Sequence, residues 1–188
     1  MRTEDDTDET LMLRYRDGDG DAFARLYTRH KGSLYRYLLR QCSQQALAEE
    51  LFQDVWLKLI AARNNYTVRA RFTTYLYHLA HNRLIDHYRT SSRSLPLSYA
   101  EDCPEWTETP APAELQPEHQ DDRRRLAERL VEVLAELPEA QREAWLLKEE
   151  AGLSLEEIAQ ITETGRETVK SRLRYAMVRL RQGLGGMR

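Results

Sequence analysis

Five of the six prolines lie between residues 96 and 117. Proline removes a backbone donor and clashes with the preceding helical turn, so no ordinary helix can cross that stretch. Pro96, Pro104, Pro110, Pro112 and Pro117 stand among Ser, Thr and Glu with no sustained apolar period, which predicts a flexible linker over 91–121. The linker divides the 188 residues into two segments, each long enough for a small domain. Only eight glycines punctuate the whole chain, too few for a many-stranded sheet. The expected fold class is therefore all-α: two small helical domains, 21–90 and 122–188, behind an acidic N-terminal tail over 1–20.

Apolar residues recur at helical spacing on both sides of the linker. Asp21 to Gln41 places Phe23, Leu26, Tyr27, Leu34 and Leu38 on one stripe. Ala46 to Ala62 places Leu47, Leu51, Val55 and Leu59 four apart, and Thr73 to Arg89 repeats the pattern with Leu76, Leu79, Ala80, Leu84 and Tyr88. Beyond the linker, one helix is expected from Asp122 to Leu137 and another from Pro138 to Glu150, with Gly152 behind it. No apolar run approaches the roughly 18 residues that span a bilayer, and the polar start is unlike a signal peptide. The chain reads as cytoplasmic, without membrane association of its own.

The last two helical patterns, Ser154 to Thr162 and Arg166 to Gln182, flank a tight break at Glu163 to Gly165. That is the pattern of a helix-turn-helix. Ser154 and Glu157 have capping-box spacing. Leu155, Ile158, Ala159 and Thr162 form a narrow apolar stripe, and small Ala159 lets a second helix cross closely. Val169, Leu173, Ala176 and Leu180 lie on the inner face of the second helix. Arg166, Lys170, Arg174 and Arg181 gather on an adjacent face, free to meet a polyanion. A basic helix face is often simply solvated, but here it follows a capped helix and a turn of the right length, which points to DNA.

Net charge of −3 conceals how the charges are distributed. Residues 1–90 carry 14 basic and 12 acidic side chains, residues 91–122 one and eight, and residues 123–188 13 and 11. An acidic strip thus separates two slightly positive segments, so local patches decide what this chain binds. Between Arg63 and Arg89 stand five arginines, three histidines and a single acid, Asp86. Tyr66, Phe72, Tyr75, Tyr77 and Tyr88 are interleaved with them. Basic charge meets phosphates, and exposed rings stack on unpaired bases for about 1–3 kcal/mol each. That combination suits melting or single-stranded DNA for the cluster as a whole, although any one ring taken singly reads better as a core residue. His78, His81 and His87 make no convincing metal set. Cys42 and Cys103 match no zinc spacing. Nothing marks a catalytic residue, a metal site or a cofactor.

Taken together, these residues resemble the extracytoplasmic-function (ECF) group of the sigma-70 family, sigma factors of bacterial RNA polymerase. "DAFARLYTRH" and "AEELFQDVWLKLI" are similar to the first half of sigma region 2, and "FTTYLYHLAHNRLIDHYR" to its melting and recognition helix. "LPEAQREAWLLKEEAGLSLEEIAQI" with "RETVKSRLRYAMVRLR" is similar to region 4. The resemblance implies a promoter-specificity subunit without catalysis of its own, which binds core polymerase through its clamp coiled coil and flap.

It also implies roles for particular residues. The −35 element would be read by Arg166, Glu167, Thr168, Lys170, Ser171, Arg172 and Arg174. The −10 element would be captured and melted by Asn64, Asn65, Tyr66, Arg69, Arg71, Phe72, Tyr75, Tyr77, Asn82, Arg83 and Asp86. Glu49, Glu50, Gln53, Asp54 and Trp56 would dock on polymerase. An anti-sigma factor, often membrane-bound in this family, would sequester the protein. Two positions depart from the family pattern: Tyr75 where Trp is common, and Glu163 where such turns often carry Gly. Two other classes fit parts of the sequence. A conventional helix-turn-helix regulator would bind its operator without polymerase, and a helical metalloenzyme would need the histidines.

Overall fold

A computed structural model describes residues 6–91 and 118–185, and among these the chain is helical with no strand. The first domain contains α1 (Asp8–Arg16), α2 (Gly20–Cys42), α3 (Gln45–Ala62), a single 3₁₀ turn (Arg63–Asn65) and α4 (Phe72–Ser91). The second contains α5 (Glu118–Ala135), α6 (Glu139–Glu149), α7 (Leu155–Ile161) and α8 (Arg166–Leu184). Seven of these helices fall where periodicity places them. α5 begins four residues ahead of the expected Asp122. Residues 92–117 of the expected linker lie outside the described residues, as do residues 1–5 and Cys103.

The eighth helix, α1, corrects the expectation of a tail over residues 1–20. Thr7 caps it, accepting from the Thr10 N–H at 3.3 Å, and Leu11, Met12 and Tyr15 are buried. Its acidic flank is held from α2: Arg25 reaches Asp6 at 3.0 Å, Arg29 reaches Asp8 at 2.7 Å and His30 reaches Asp8 at 2.7 Å. Glu9 extends this role by accepting the Phe72 N–H at 2.7 Å, so α1 satisfies an orphan donor at the start of α4.

The first domain packs Leu26, Leu34, Leu38, Leu51, Val55, Leu59, Leu76 and Leu84 into one core. An aromatic cluster lies at one side, where Trp56 meets Phe23 edge-on at 5.8 Å and Tyr27 at 5.0 Å. In the second domain Val133, Leu134, Leu146, Leu147, Ile158, Val169, Ala176 and Leu180 are buried. α8 crosses α5 closely at Gly183, where an added Cβ would lie 2.5 Å from a Val133 methyl carbon. No described helix is long and apolar enough to cross a membrane.

The two domains pack against each other, α2 against α5 and α6, and α4 against α7. The contact is largely ionic. Three acids of the second domain, Glu143, Glu150 and Glu157, face basic and hydroxyl groups of the first. Glu150 receives Arg36 Nε at 2.9 Å and the guanidinium of Arg40. Glu157 accepts from the Thr74 hydroxyl at 2.7 Å and lies 3.6 Å from Arg71. Glu143 accepts from the Tyr37 hydroxyl at 3.3 Å and pairs with His81 at 2.6 Å. Arg142 returns the favour, donating to the Gln41 side chain at 3.3 Å.

Candidate nucleic-acid interface

The helix-turn-helix is built as its sequence indicates. Ser154 Oγ accepts from the Glu157 N–H at 3.2 Å, and Glu157 accepts from the Ser154 N–H at 2.8 Å, completing a capping box. Ile158 and Ile161 turn inward, so Ile161 takes the buried place that spacing suggested for Thr162. Thr162 instead bonds the turn, donating to the Ile158 carbonyl at 2.9 Å and meeting the Thr164 hydroxyl at 3.0 Å.

The break between the helices turns at Glu163, not at the nearby glycine. Glu163 sits at φ 50°, while Gly165 is extended at φ −74° and serves as the N-cap of α8. A left-handed residue with a Cβ is strained by about 1–2 kcal/mol. Glu163→Gly should therefore raise the thermal midpoint by a few degrees, measured by calorimetry in high salt to screen the lost charge. A lower midpoint would refute strain at this position.

On α8 the expected DNA-reading residues share an outward face. Arg166, Glu167, Thr168, Lys170, Ser171 and Arg174 are exposed, whereas Arg172 is half-buried. Glu156 holds Arg166 at 2.5 Å, Glu167 lies 3.7 Å from Lys170, and the Arg174 guanidinium lies over the Tyr175 ring at 5.1 Å. The side-chain bond and charge of Glu156 raise the Arg166 pKa. These exposed pairs are weak in water and can exchange a carboxylate for a phosphate. Val169, Ala176 and Leu180 anchor the opposite face, which fixes how the basic face is presented.

The aromatic and basic residues at the start of α4 divide into two groups. Asn64, Asn65, Arg69, Arg71 and Asn82 are exposed and Tyr75 is half-buried. Tyr66, Phe72 and Tyr77 are buried at 5%, 0% and 0% exposure. These three rings act as core in this conformation and offer no face for stacking. Phe72 packs on His30 at 5.3 Å, Tyr66 on Tyr75 at 5.4 Å and Tyr77 on Tyr37 at 5.2 Å. Burial pushes the Tyr66 and Tyr77 hydroxyls up to about 12.

Arg83 links two of the expected sites, because it donates to Asp54 at 2.6 Å and lies 3.6 Å from Glu50 on α3. Asp86 lies 3.5 Å from Arg89 and 4.0 Å from Lys58. On α3, Glu49, Glu50 and Gln53 are exposed and Asp54 is half-buried, while Trp56 is only 5% exposed. Trp56 thus supports this face from beneath. Leu57 stands 62% exposed on the same helix, an apolar side chain that charge patterning does not single out. Cys42 donates its thiol to the Leu38 carbonyl at 2.7 Å, and burial pushes its pKa up to about 11. Such a thiol is unreactive.

Family models match both domains: Sigma-70 region 2 over residues 26–94 and Sigma-70, region 4 over residues 127–180. The chain is similar to RNA polymerase sigma factor CarQ of Myxococcus xanthus, 32% identical over 174 residues that cover 93% of this chain and 95% of the relative. Its fold is similar to that of CnrH, solved in complex with the cytosolic domain of CnrY, at 19% identity and a TM-score of 0.67, covering 96% of this chain and 99% of that one. It is also similar to the sigma factor RpoE of Bartonella quintana, solved in complex with the anti-sigma factor NepR. That likeness has 21% identity and a TM-score of 0.67, covering 87% of this chain and 96% of that one.

Proposed function

The chain belongs to the sigma-70 family of RNA polymerase sigma factors, in the extracytoplasmic-function group of its relatives BldN and SigK, and we propose how its two domains divide the work. As a sigma factor it binds core RNA polymerase, directs it to a subset of promoters and takes part in opening the DNA. α8 enters the major groove of the −35 element, with Lys170 and Arg174 as its principal contacts. Arg166 joins them once Glu156 gives it up. Asn64, Asn65, Arg69, Arg71, Tyr75 and Asn82 form the −10 surface. Glu49, Glu50, Gln53 and Leu57 on α3 dock on the clamp coiled coil, and the second domain meets the flap. The protein acts in the cytoplasm, without catalysis of its own, and is held in check by an anti-sigma factor, as RpoE is bound by NepR.

The observation that carries the −35 assignment is the exposed basic face of α8 behind a capping-box helix and a four-residue turn. Run-off transcription with core polymerase, the purified chain and a library of promoter fragments tests the whole reading. Discrete transcripts that require the added chain are expected. Sequence-specific DNA binding without polymerase, and no transcripts, would make the protein a stand-alone regulator.

A further inference from the structure

The interface between the domains contains one contact that differs in kind from the rest. Arg36, Arg40, Arg71 and Arg142 keep their charge at any physiological pH, so the contacts they make across it do not respond to protons. His81, on α4, is the interface group whose ordinary pKa of 6.5 lies near neutrality. Its side chain is 12% exposed and its Nδ1 lies 2.6 Å from Glu143 Oε1 on α6. That same oxygen accepts from the Tyr37 hydroxyl of α2. The imidazole borders a cavity of about 480 Å³ between the domains. Glu139 and Glu143 of α6, Glu163 of the turn and Arg172 of α8 line that cavity with it. Three carboxylates therefore face His81 against one guanidinium.

We propose that His81 and Glu143 form a proton-operated latch, in which protonated His81 holds the helix-turn-helix domain against the first domain and loss of that proton lets the two part. Burial opposes a charge on His81, but the hydrogen bond to Glu143 and the charges of Glu143, Glu163 and Glu139 outweigh it, so its pKa is raised in the closed form. Once the domains separate, His81 meets water and returns to an ordinary value near 6.5. Closing therefore takes up a proton between that value and the raised one. The stabilisation is complete below about pH 6.5 and is lost as pH rises through the raised pKa. Acid closes the protein and mild alkali favours opening.

Closing also engages two of the residues expected to meet DNA. Glu157 lies 3.6 Å from Arg71, which stays exposed, and half-buried Arg172 borders the interdomain cavity. In the closed molecule a phosphate would have to compete with Glu157 for Arg71. This consequence rests on the promoter reading above, whereas the latch itself rests on the interface alone.

Small-angle scattering of the full chain, from about pH 5.5 to about pH 8.5, spans an ordinary imidazole and reads the latch without polymerase. The radius of gyration should grow as pH rises through neutrality, at constant helix content by circular dichroism. A single linked proton changes the closed-to-open ratio by at most about tenfold per pH unit. His81→Gln stays neutral throughout and should flatten the profile. In Glu143→Gln the His81 ring protons, followed by NMR, should titrate at a lower pH than in the parent. A parent chain of constant size across the range would overturn the proposal. So would an unchanged profile in His81→Gln, or an unshifted His81 titration in Glu143→Gln. Failure to direct transcription would sink the promoter reading and leave this result standing.

Discussion

Replacing both Lys170 and Arg174 with alanine should lower promoter-directed transcription by at least about tenfold, since a side chain that reads a base edge contributes about 1–3 kcal/mol. Binding of core polymerase should be unchanged. Both residues are exposed on α8, while Val169, Ala176 and Leu180 hold the helix from its other face. Their exchange should therefore leave stability within about 0.5 kcal/mol. Salt separates two modes of contact. Where either side chain meets a phosphate, its loss should flatten the log–log salt dependence of promoter binding by about 0.9 per contact. Where it meets a base, discrimination between promoters should relax instead. Loss of polymerase binding in the double variant would refute the assignment of promoter reading to α8.

A second large effect is expected at the interface. Glu150→Ala should part the domains while leaving each folded. Glu150 is 8% exposed and receives both Arg36 and Arg40, and the Arg40 side chain is only 16% exposed. Burial already lowers the Arg40 pKa, and its Nε has no hydrogen-bond partner among the described residues. Removing one partner of a buried ion pair typically costs about 3–5 kcal/mol, because the other charge is left desolvated. Tethered domains have an escape unavailable to a single core: by separating, they return Arg36 and Arg40 to water. The cost is then capped by the free energy of closure. A larger radius of gyration with unchanged helix content is expected. A compact chain that loses helix would show that the two domains fold as one unit.

Periodicity and capping made seven helices legible, because each signal is local. The Ser154–Glu157 box and the apolar spacing of Val169, Ala176 and Leu180 depend only on neighbours along the chain. α1 escaped for a nonlocal reason. Its short apolar set, Leu11, Met12 and Tyr15, is embedded among acids whose partners Arg25, Arg29 and His30 lie on another helix. The rings near the start of α4 show a related limit. Composition marked Tyr66, Phe72 and Tyr77 together with Arg69 and Arg71, but which of them face solvent depends on α1 and α2 lying beneath. The interface was the least legible part. Glu143 and Glu150 look like ordinary surface charges, and Glu157 like a helix cap alone, until the first domain is seen against them.

Glu157 has two duties on one side chain. It completes the capping box at the start of α7 and also accepts from Thr74 of the other domain. A substitution that removes the side-chain acceptors, such as Glu157→Ala, loosens the closed form and also frays the first helix of the helix-turn-helix. Such a change is pleiotropic: looser docking of the domains would come with a less stable α7. Glu143 and Glu150 carry no such burden, since neither caps the motif. For anyone seeking a permanently open form, these two are the places to adjust, and Glu157 is the one to leave alone.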